Sequence, residues 1–145
     1  MKSMLVDEAA RRGLRNVTFH PQMALEAIPP VLAASDALLV PLSGHPTFEQ
    51  FVPSKLIDFM AVGRPVIVAA DSTSEISKVV SDVGCGVVLP PARPELVAGA
   101  IRSLYETRQT LDELGARGRR YVEAEADRRV AHERYRAVIR DLLAA

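Results

Sequence analysis

The sequence predicts an α/β layered fold, a parallel sheet with helices on both faces, and three observations carry that expectation. Short continuous apolar runs at Ala37–Leu42, Pro65–Ala70 and Gly86–Leu89 have the pattern of strands buried on both sides. The stretches between them carry helical periodicity and helix punctuation. Strand-like and helix-like segments also alternate along the chain, as they do where parallel neighbours are joined by crossover helices.

Taken in order, Met1 to Arg12 reads as a helix with Gly13 at its C-terminal cap. Val17-Thr18-Phe19 follows Asn16 and predicts a short first strand, stopped by His20-Pro21. Met23 to Ala34 is helix-like and is broken or restarted at Pro29-Pro30. The run at 37–42 is bounded by Asp36 and by Ser43-Gly44, and Ser43 to Val52 is a loop. Ser54 to Val62 reads as a helix with Pro53 in its first turn and Gly63 as its cap. Ser72 and Glu75 have capping-box spacing, opening a helix that ends near Gly84. After the run at 86–89, Pro94 opens a helix with Val97, Ala100, Ile101 and Leu104 on one stripe. Two more helical stretches follow, and the last sets Ala131, Tyr135, Val138, Ile139, Leu142 and Leu143 on one side.

With 145 residues the chain has room for one domain. About half of it is apolar and a quarter charged, an ordinary globular composition. Eighteen basic residues balance eighteen acidic ones, so no charge surplus points to nucleic acid. The single cysteine, Cys85, forms no intrachain disulfide, and no Cys/His cluster has metal-ligand spacing, so no metal is expected and a cytoplasmic location fits. The first eight residues are charged and carry no signal-peptide core, and no apolar run reaches membrane-spanning length. His45 and His132 read as surface residues, Cys85 as packing, Arg64 as a hydrogen-bonding group near a helix end, and Tyr105 and Tyr121 as core-edge residues.

Chemistry concentrates between Glu49 and Val66. The helix starting at Ser54 follows a predicted strand and so opens at the carboxyl edge of the sheet, where open parallel sheets bind ligands. Its first-turn N–H groups and dipole favour an anion. Ser54 adds a hydroxyl and Lys55 a positive charge, which together suit a phosphate or diphosphate. Asp58 falls one turn later on the same face, at a reach suited to two vicinal hydroxyls such as those of a ribose. The same residues equally suit a plain helix start, a solvated lysine and a surface acid, and spacing alone does not choose between the two readings.

From Asn16 to about Val122 the chain resembles the C-terminal half of family-4 (group 1) glycosyltransferases of the GT-B fold. The matching pieces are Asn16–Phe19, Ala34–Pro41, Pro53–Ile67, Gly84–Val88 and Leu114–Val122, in the family's order. The resemblance implies one partial Rossmann-like nucleotide-sugar-binding domain over residues 1–145, lacking the first strands of the parent domain. It also implies a retaining transferase of hexosyl type that needs no cofactor and takes a UDP- or GDP-sugar as donor and a glycan or lipid-linked acceptor. In the family an acid at the position of Asp58 binds the ribose, the helix start matching Ser54 and Lys55 faces the diphosphate, and the loop matching His20, Pro21 and Gln22 flanks the base. A glutamate eight positions before the ribose acid reads the donor sugar; here Gln50 holds that place and Glu49 is its neighbour. Asp58 is itself shorter than the usual glutamate. The implied catalytic residues are Glu49 and Lys55, and no metal ligand is implied.

The family's N-terminal acceptor domain, the first two strands of its donor domain and the basic residues between them have no counterpart in this sequence. A fragment, a misplaced start and one piece of a split enzyme remain open. The expected partners are therefore a nucleotide sugar and either the missing acceptor domain or a second copy of the chain; any peripheral membrane contact falls to the missing half. The chain alone is expected to be inactive. Two other readings stand beside this one: a non-catalytic α/β interaction module and a fragment of a nucleotide-sugar 2-epimerase.

Overall fold

The computed structural model describes residues 2–144, so Met1 of the predicted first helix lies outside the described residues. The elements run α1 (Lys2–Arg11), α2 (Ile28–Ala33), β1 (Leu38–Pro41), α3 (Ser54–Ala61), β2 (Val66–Ala69), α4 (Glu75–Val83), β3 (Gly86–Leu89), α5 (Pro94–Glu106), α6 (Leu111–Tyr121) and α7 (Arg128–Ala144). The three strands form one parallel sheet in the order β1-β2-β3. Leu38 pairs with Val66, and Val66 with Gly86.

Because successive side chains of a strand point to opposite faces, this register sorts the apolar residues into two layers. Val40, Val66 and Val68 face a core shared with Leu56 and Met60 of α3, Ile76 and Val80 of α4, Cys85, and Val122 just beyond α6. On the other face Ile67 meets Ala100 and Leu104 of α5, with Val87, Leu89, Leu111 and Leu114 around them. Helices therefore cover both faces, as expected, but unequally. Ile67 is 2% exposed, whereas Leu39, its neighbour on the same face of the edge strand, is 41% exposed. A groove of about 590 Å³ opens there between β1 and α5, lined by Asp36, Leu39, Ile101, Tyr105 and Arg108 among others.

Four expectations are corrected. Val17-Thr18-Phe19 is not a strand: the segment pairs with no strand among the described residues, and both Val17 and Phe19 are exposed. A strand needs a hydrogen-bonding neighbour, and the described sheet begins at β1. The Ser72–Glu75 capping box does not form. Ser74 occupies the cap of α4 without a side-chain cap bond. Its hydroxyl donates instead to the Asp71 carbonyl at 2.6 Å and lies within hydrogen-bond distance of the Ser77 hydroxyl, at 3.0 Å. The α5 stripe is narrower than expected, with Ala100 and Leu104 buried but Ile101 exposed. Tyr105 is also exposed rather than at the core edge, because both residues border the open groove. Smaller differences are matters of boundary: Pro53 caps α3 from outside its first turn, and Pro29 and Pro30 stand in the first turn of α2, where their missing N–H groups cost nothing.

Arg64 behaves as expected near a helix end: its Nε donates to the Ala33 carbonyl at 2.9 Å, fastening the end of α2 to the turn before β2. Cys85 is fully buried, and burial pushes its thiol up to about 11. Among the described residues no helix is long and apolar enough to cross a membrane.

Candidate functional site

The carboxyl ends of β1 and β2 lead into two loops, residues 42–53 and 70–74, and each loop ends at a helix. Both α3 and α4 therefore start on the same edge of the sheet. The longer loop is folded on itself. A single helical turn at Pro46–Phe48 is capped by His45, whose Nδ1 accepts from the Thr47 N–H at 3.2 Å and lies 2.8 Å from the Thr47 hydroxyl. The Glu49 N–H then donates to the Pro46 carbonyl at 3.0 Å. The loop is also tied to its neighbour, since the Glu75 N–H at the start of α4 donates to the Glu49 carbonyl at 2.9 Å. One first-turn donor of α4 is thus spent on holding Glu49 at the sheet edge.

On the β2 side, Asp71 is fixed by its neighbour. Its Oδ1 accepts from the Thr73 N–H at 2.9 Å and from the Thr73 hydroxyl at 2.8 Å. These bonds, the backbone one foremost, hold its carboxyl below the usual range. Between the two loops lies a small cavity of about 10 Å³, lined by Ser43, His45, Glu49, Asp71 and Ser74 with apolar neighbours. That is about the room of one water molecule.

The α3 helix is split lengthwise. Leu56 and Met60 are fully buried, while Ser54, Lys55 and Asp58 are exposed. Ser54 and Asp58 stand one turn apart on the solvent face, as their spacing requires. The buried pair anchors the helix to Val40, Val66 and Val68, so the exposed polar face is carried on the larger of the two apolar clusters.

The structure brings Glu49 into the wall of the cavity, and Gln50 is not part of that wall. It gathers Ser54, Lys55 and Asp58 on one helix face; His20, Pro21 and Gln22 belong to a different segment of the chain. Those three are exposed in the irregular segment after α1, and among the described residues their hydrogen bond is the one the His20 carbonyl accepts from Lys2 Nζ. Asp71 and Ser74 also line the cavity, and sequence reading missed them as site neighbours; their only signal was a position directly after an apolar run. His45, read as a surface residue, is exposed and also lines the cavity. The groove of about 590 Å³ lies away from this edge, on the open flank of β1. Among the described residues no three His, Cys, Asp or Glu side chains converge as a metal-ligand set.

Residues 2–107 match the family model described as glycosyl transferases group 1. The chain is 30% identical over 102 residues to "Putative colanic acid biosynthesis glycosyl transferase WcaI" of Escherichia coli (strain K12), covering 70% of this chain and 25% of that protein. It is 31% identical over 112 residues to "Probable glycosyltransferase WbjE" of Pseudomonas aeruginosa, covering 77% of this chain and 27% of that protein. It thus spans about a quarter of the length of these curated relatives. Among solved structures it is similar to sucrose-phosphate synthase from Thermosynechococcus elongatus. The TM-score is 0.81 at 23% identity, over 98% of this chain and 34% of the other. That likeness supports the Rossmann-like arrangement of a GT-B domain.

Proposed function

Because the chain belongs to the group 1 glycosyl transferases, we propose that it is the donor-binding portion of a retaining glycosyltransferase of hexosyl type, taking a UDP- or GDP-sugar and serving a glycan or lipid-linked acceptor. The observation that carries this reading is the exposed polar face of α3 at the carboxyl edge of the sheet, with Ser54, Lys55 and Asp58 turned to solvent above a buried anchor. The diphosphate lies at the first turn, where the N–H groups, the dipole and Lys55 act in one direction. Asp58 takes the ribose hydroxyls. Glu49, fixed through its carbonyl by α4, supplies the acid that reads the donor sugar in place of Gln50.

In the reaction the bond between the anomeric carbon and the diphosphate oxygen breaks, and the electron pair leaves with the diphosphate. A bond to an acceptor hydroxyl oxygen forms on the same face of the sugar, and that hydroxyl's proton passes to the departing diphosphate oxygen. The contribution of this chain is to stabilise the charge that builds on the departing diphosphate, with donors already in place. The acceptor and further cationic groups come from elsewhere in a longer enzyme, so this chain by itself gives no turnover.

The test is titration of UDP, a UDP-sugar and inorganic pyrophosphate against the wild type, Lys55→Ala and Asp58→Ala, in this chain and in a longer parent enzyme. Charge-assisted hydrogen bonds are worth roughly 1.5–3 kcal/mol. Lys55→Ala is therefore expected to weaken all three ligands about ten-fold or more. Asp58→Ala weakens UDP and the UDP-sugar but spares pyrophosphate, which has no ribose. Equal damage to pyrophosphate and UDP by Asp58→Ala removes the ribose assignment. If neither substitution changes any of the three, α3 is plain scaffold.

A further inference from the structure

The loop between β1 and α3 is held at two places and jointed between them. At its base Gly44 lies against the loop after β3, where an added Cβ would stand 3.0 Å from Pro91 Cγ. At its far side the Glu49 carbonyl is fixed by the first turn of α4. Between these points the chain makes the single turn Pro46–Phe48, and His45 is the residue that closes it. Pro46 has no N–H, so Thr47 carries the first donor of that turn without a partner inside it. His45 precedes the turn with φ −83° and ψ 134°, the extended backbone of a cap residue, and its Nδ1 accepts the Thr47 N–H at 3.2 Å. The Thr47 hydroxyl lies 2.8 Å from the same nitrogen. A backbone N–H can only donate, so Nδ1 is an acceptor here, and the neutral ring carries its proton on Nε2.

Glu49 directly follows this turn, and its N–H returns to the Pro46 carbonyl at 3.0 Å. Two backbone bonds thus place Glu49. One belongs to α4, and the other belongs to the turn that His45 closes. Glu49 is exposed, so it gains little from packing and these bonds do the holding. A binding group has to be kept within about 0.5 Å of its productive geometry. Opening of the turn would free the Glu49 N–H and let the residue swing on its carbonyl bond alone. His45 and Glu49 also line the same small cavity, so the cap and the acid it places stand on one side of the sheet edge. Ser54, Lys55 and Asp58 lie beyond the loop on a helix anchored by Leu56 and Met60, and their placement does not pass through the turn.

We propose that His45 is a positioning residue for recognition of the donor sugar: by capping the Pro46–Phe48 turn through Nδ1 it holds Glu49 where the sugar is read. The inference rests on the reading of Glu49 as the sugar-reading acid. Calorimetric titration of the 145-residue chain with UDP, UDP-glucose, GDP and GDP-mannose tests it. The readout is the preference for a sugar nucleotide over its bare diphosphate, taken on the pair that shows the larger preference. Urea unfolding confirms that each variant is folded. Glu49→Ala is expected to abolish the preference. Loss of a cap shifts the closing of a turn about five-fold, and affinity falls with the fraction of closed turn. His45→Ala is therefore expected to lower the preference by roughly three- to five-fold while the bare diphosphate binds as before. His45→Asn restores it, because Asn Oδ1 stands as many bonds from Cβ as Nδ1 does and Asn is a preferred cap. If no sugar nucleotide is preferred, or if Glu49→Ala leaves the preference intact, the reading of Glu49 fails and the proposal with it. If Glu49→Ala abolishes the preference and His45→Ala leaves it, Glu49 stands and the role of His45 is overturned. Equal losses in His45→Ala and His45→Asn also overturn it, because the ring would then be needed for itself and not for the turn. Equal weakening of diphosphate and sugar nucleotide by His45→Ala overturns it as well, as a general loosening of the loop.

Discussion

At Gly115 α6 lies directly against the turn between α3 and β2, and replacing it with alanine tests how α6 is held there. A Cβ added at Gly115 would stand 2.0 Å from the Gly63 carbonyl oxygen, 2.6 Å from its carbon and 3.1 Å from the Arg64 nitrogen. The neighbours are backbone and cannot rotate away. Non-bonded atoms settle at about 3.5 Å, so α6 or the turn at Gly63 must move by more than an ångström. Neither is free to do so. Leu111 and Leu114 fix one side of α6 in the α5 cluster, and Val122 fixes its end in the larger core. The turn at Gly63 carries Arg64, which is bonded to α2. Overpacking of this kind costs about 1–3 kcal/mol, sometimes more, while alanine regains about 1 kcal/mol of helix propensity.

The expected net loss is up to about 2 kcal/mol, a fall in melting temperature of up to about 8 °C for a domain of this size. Gly99 is the internal control. It lies in mid-helix on α5, is exposed, and an added Cβ meets nothing within 4 Å. Gly99→Ala is therefore expected to raise stability by about 0.5–1 kcal/mol through propensity alone. Urea unfolding of wild type and both variants measures the difference with m unchanged. If both glycines respond alike, the close approach of α6 to Gly63 is wrong.

Two further stability predictions follow from the larger core. Met60→Ala removes a fully buried side chain from the centre of the α3 contact and is expected to cost about 2–5 kcal/mol in denaturant unfolding; a cost near zero would mean that α3 is not anchored as described. Cys85, whose folded thiol is raised to about 11, keeps its proton in the fold after the unfolded chain has lost its own. Stability contributed by the neutral thiol is thus present below the unfolded value and is lost as pH rises through the folded one. Cys85→Ala should flatten the alkaline limb of a stability–pH profile, and the wild-type thiol should resist labelling at neutral pH until the chain unfolds.

The strands that sequence reading placed correctly share one property. Leu38–Pro41, Val66–Ala69 and Gly86–Leu89 each have a partner in the described sheet, and the apolar runs that predict them are the residues both layers of helices need. Val17–Phe19 has the same local character and does not form a strand, because apolar character encodes a demand for burial and cannot say which neighbour meets it. The amphipathic stripe of α7 was equally legible, and its exposure was not, for the same reason. At the candidate site, one helix face was readable from spacing, since Ser54 and Asp58 are a turn apart in any helix. The wall of the small cavity was not, because His45, Glu49 and Asp71 come from two loops that only the parallel register of β1 and β2 brings together.

That division sets what this chain can do by itself. The face proposed for the donor is carried by α3, whose anchors Leu56 and Met60 sit in a core completed within residues 2–144 by α4, α6 and the sheet. The Glu49 carbonyl is held by α4, also within that core's reach. None of these contacts draws on the open flank of β1 or on the exposed stripe of α7. Ligand contacts along α3 should therefore survive changes on those two surfaces: a Val138→Glu chain is expected to bind UDP as the wild type does. A loss of UDP binding confined to the Val138→Glu variant would place α7, against this reasoning, within the donor site.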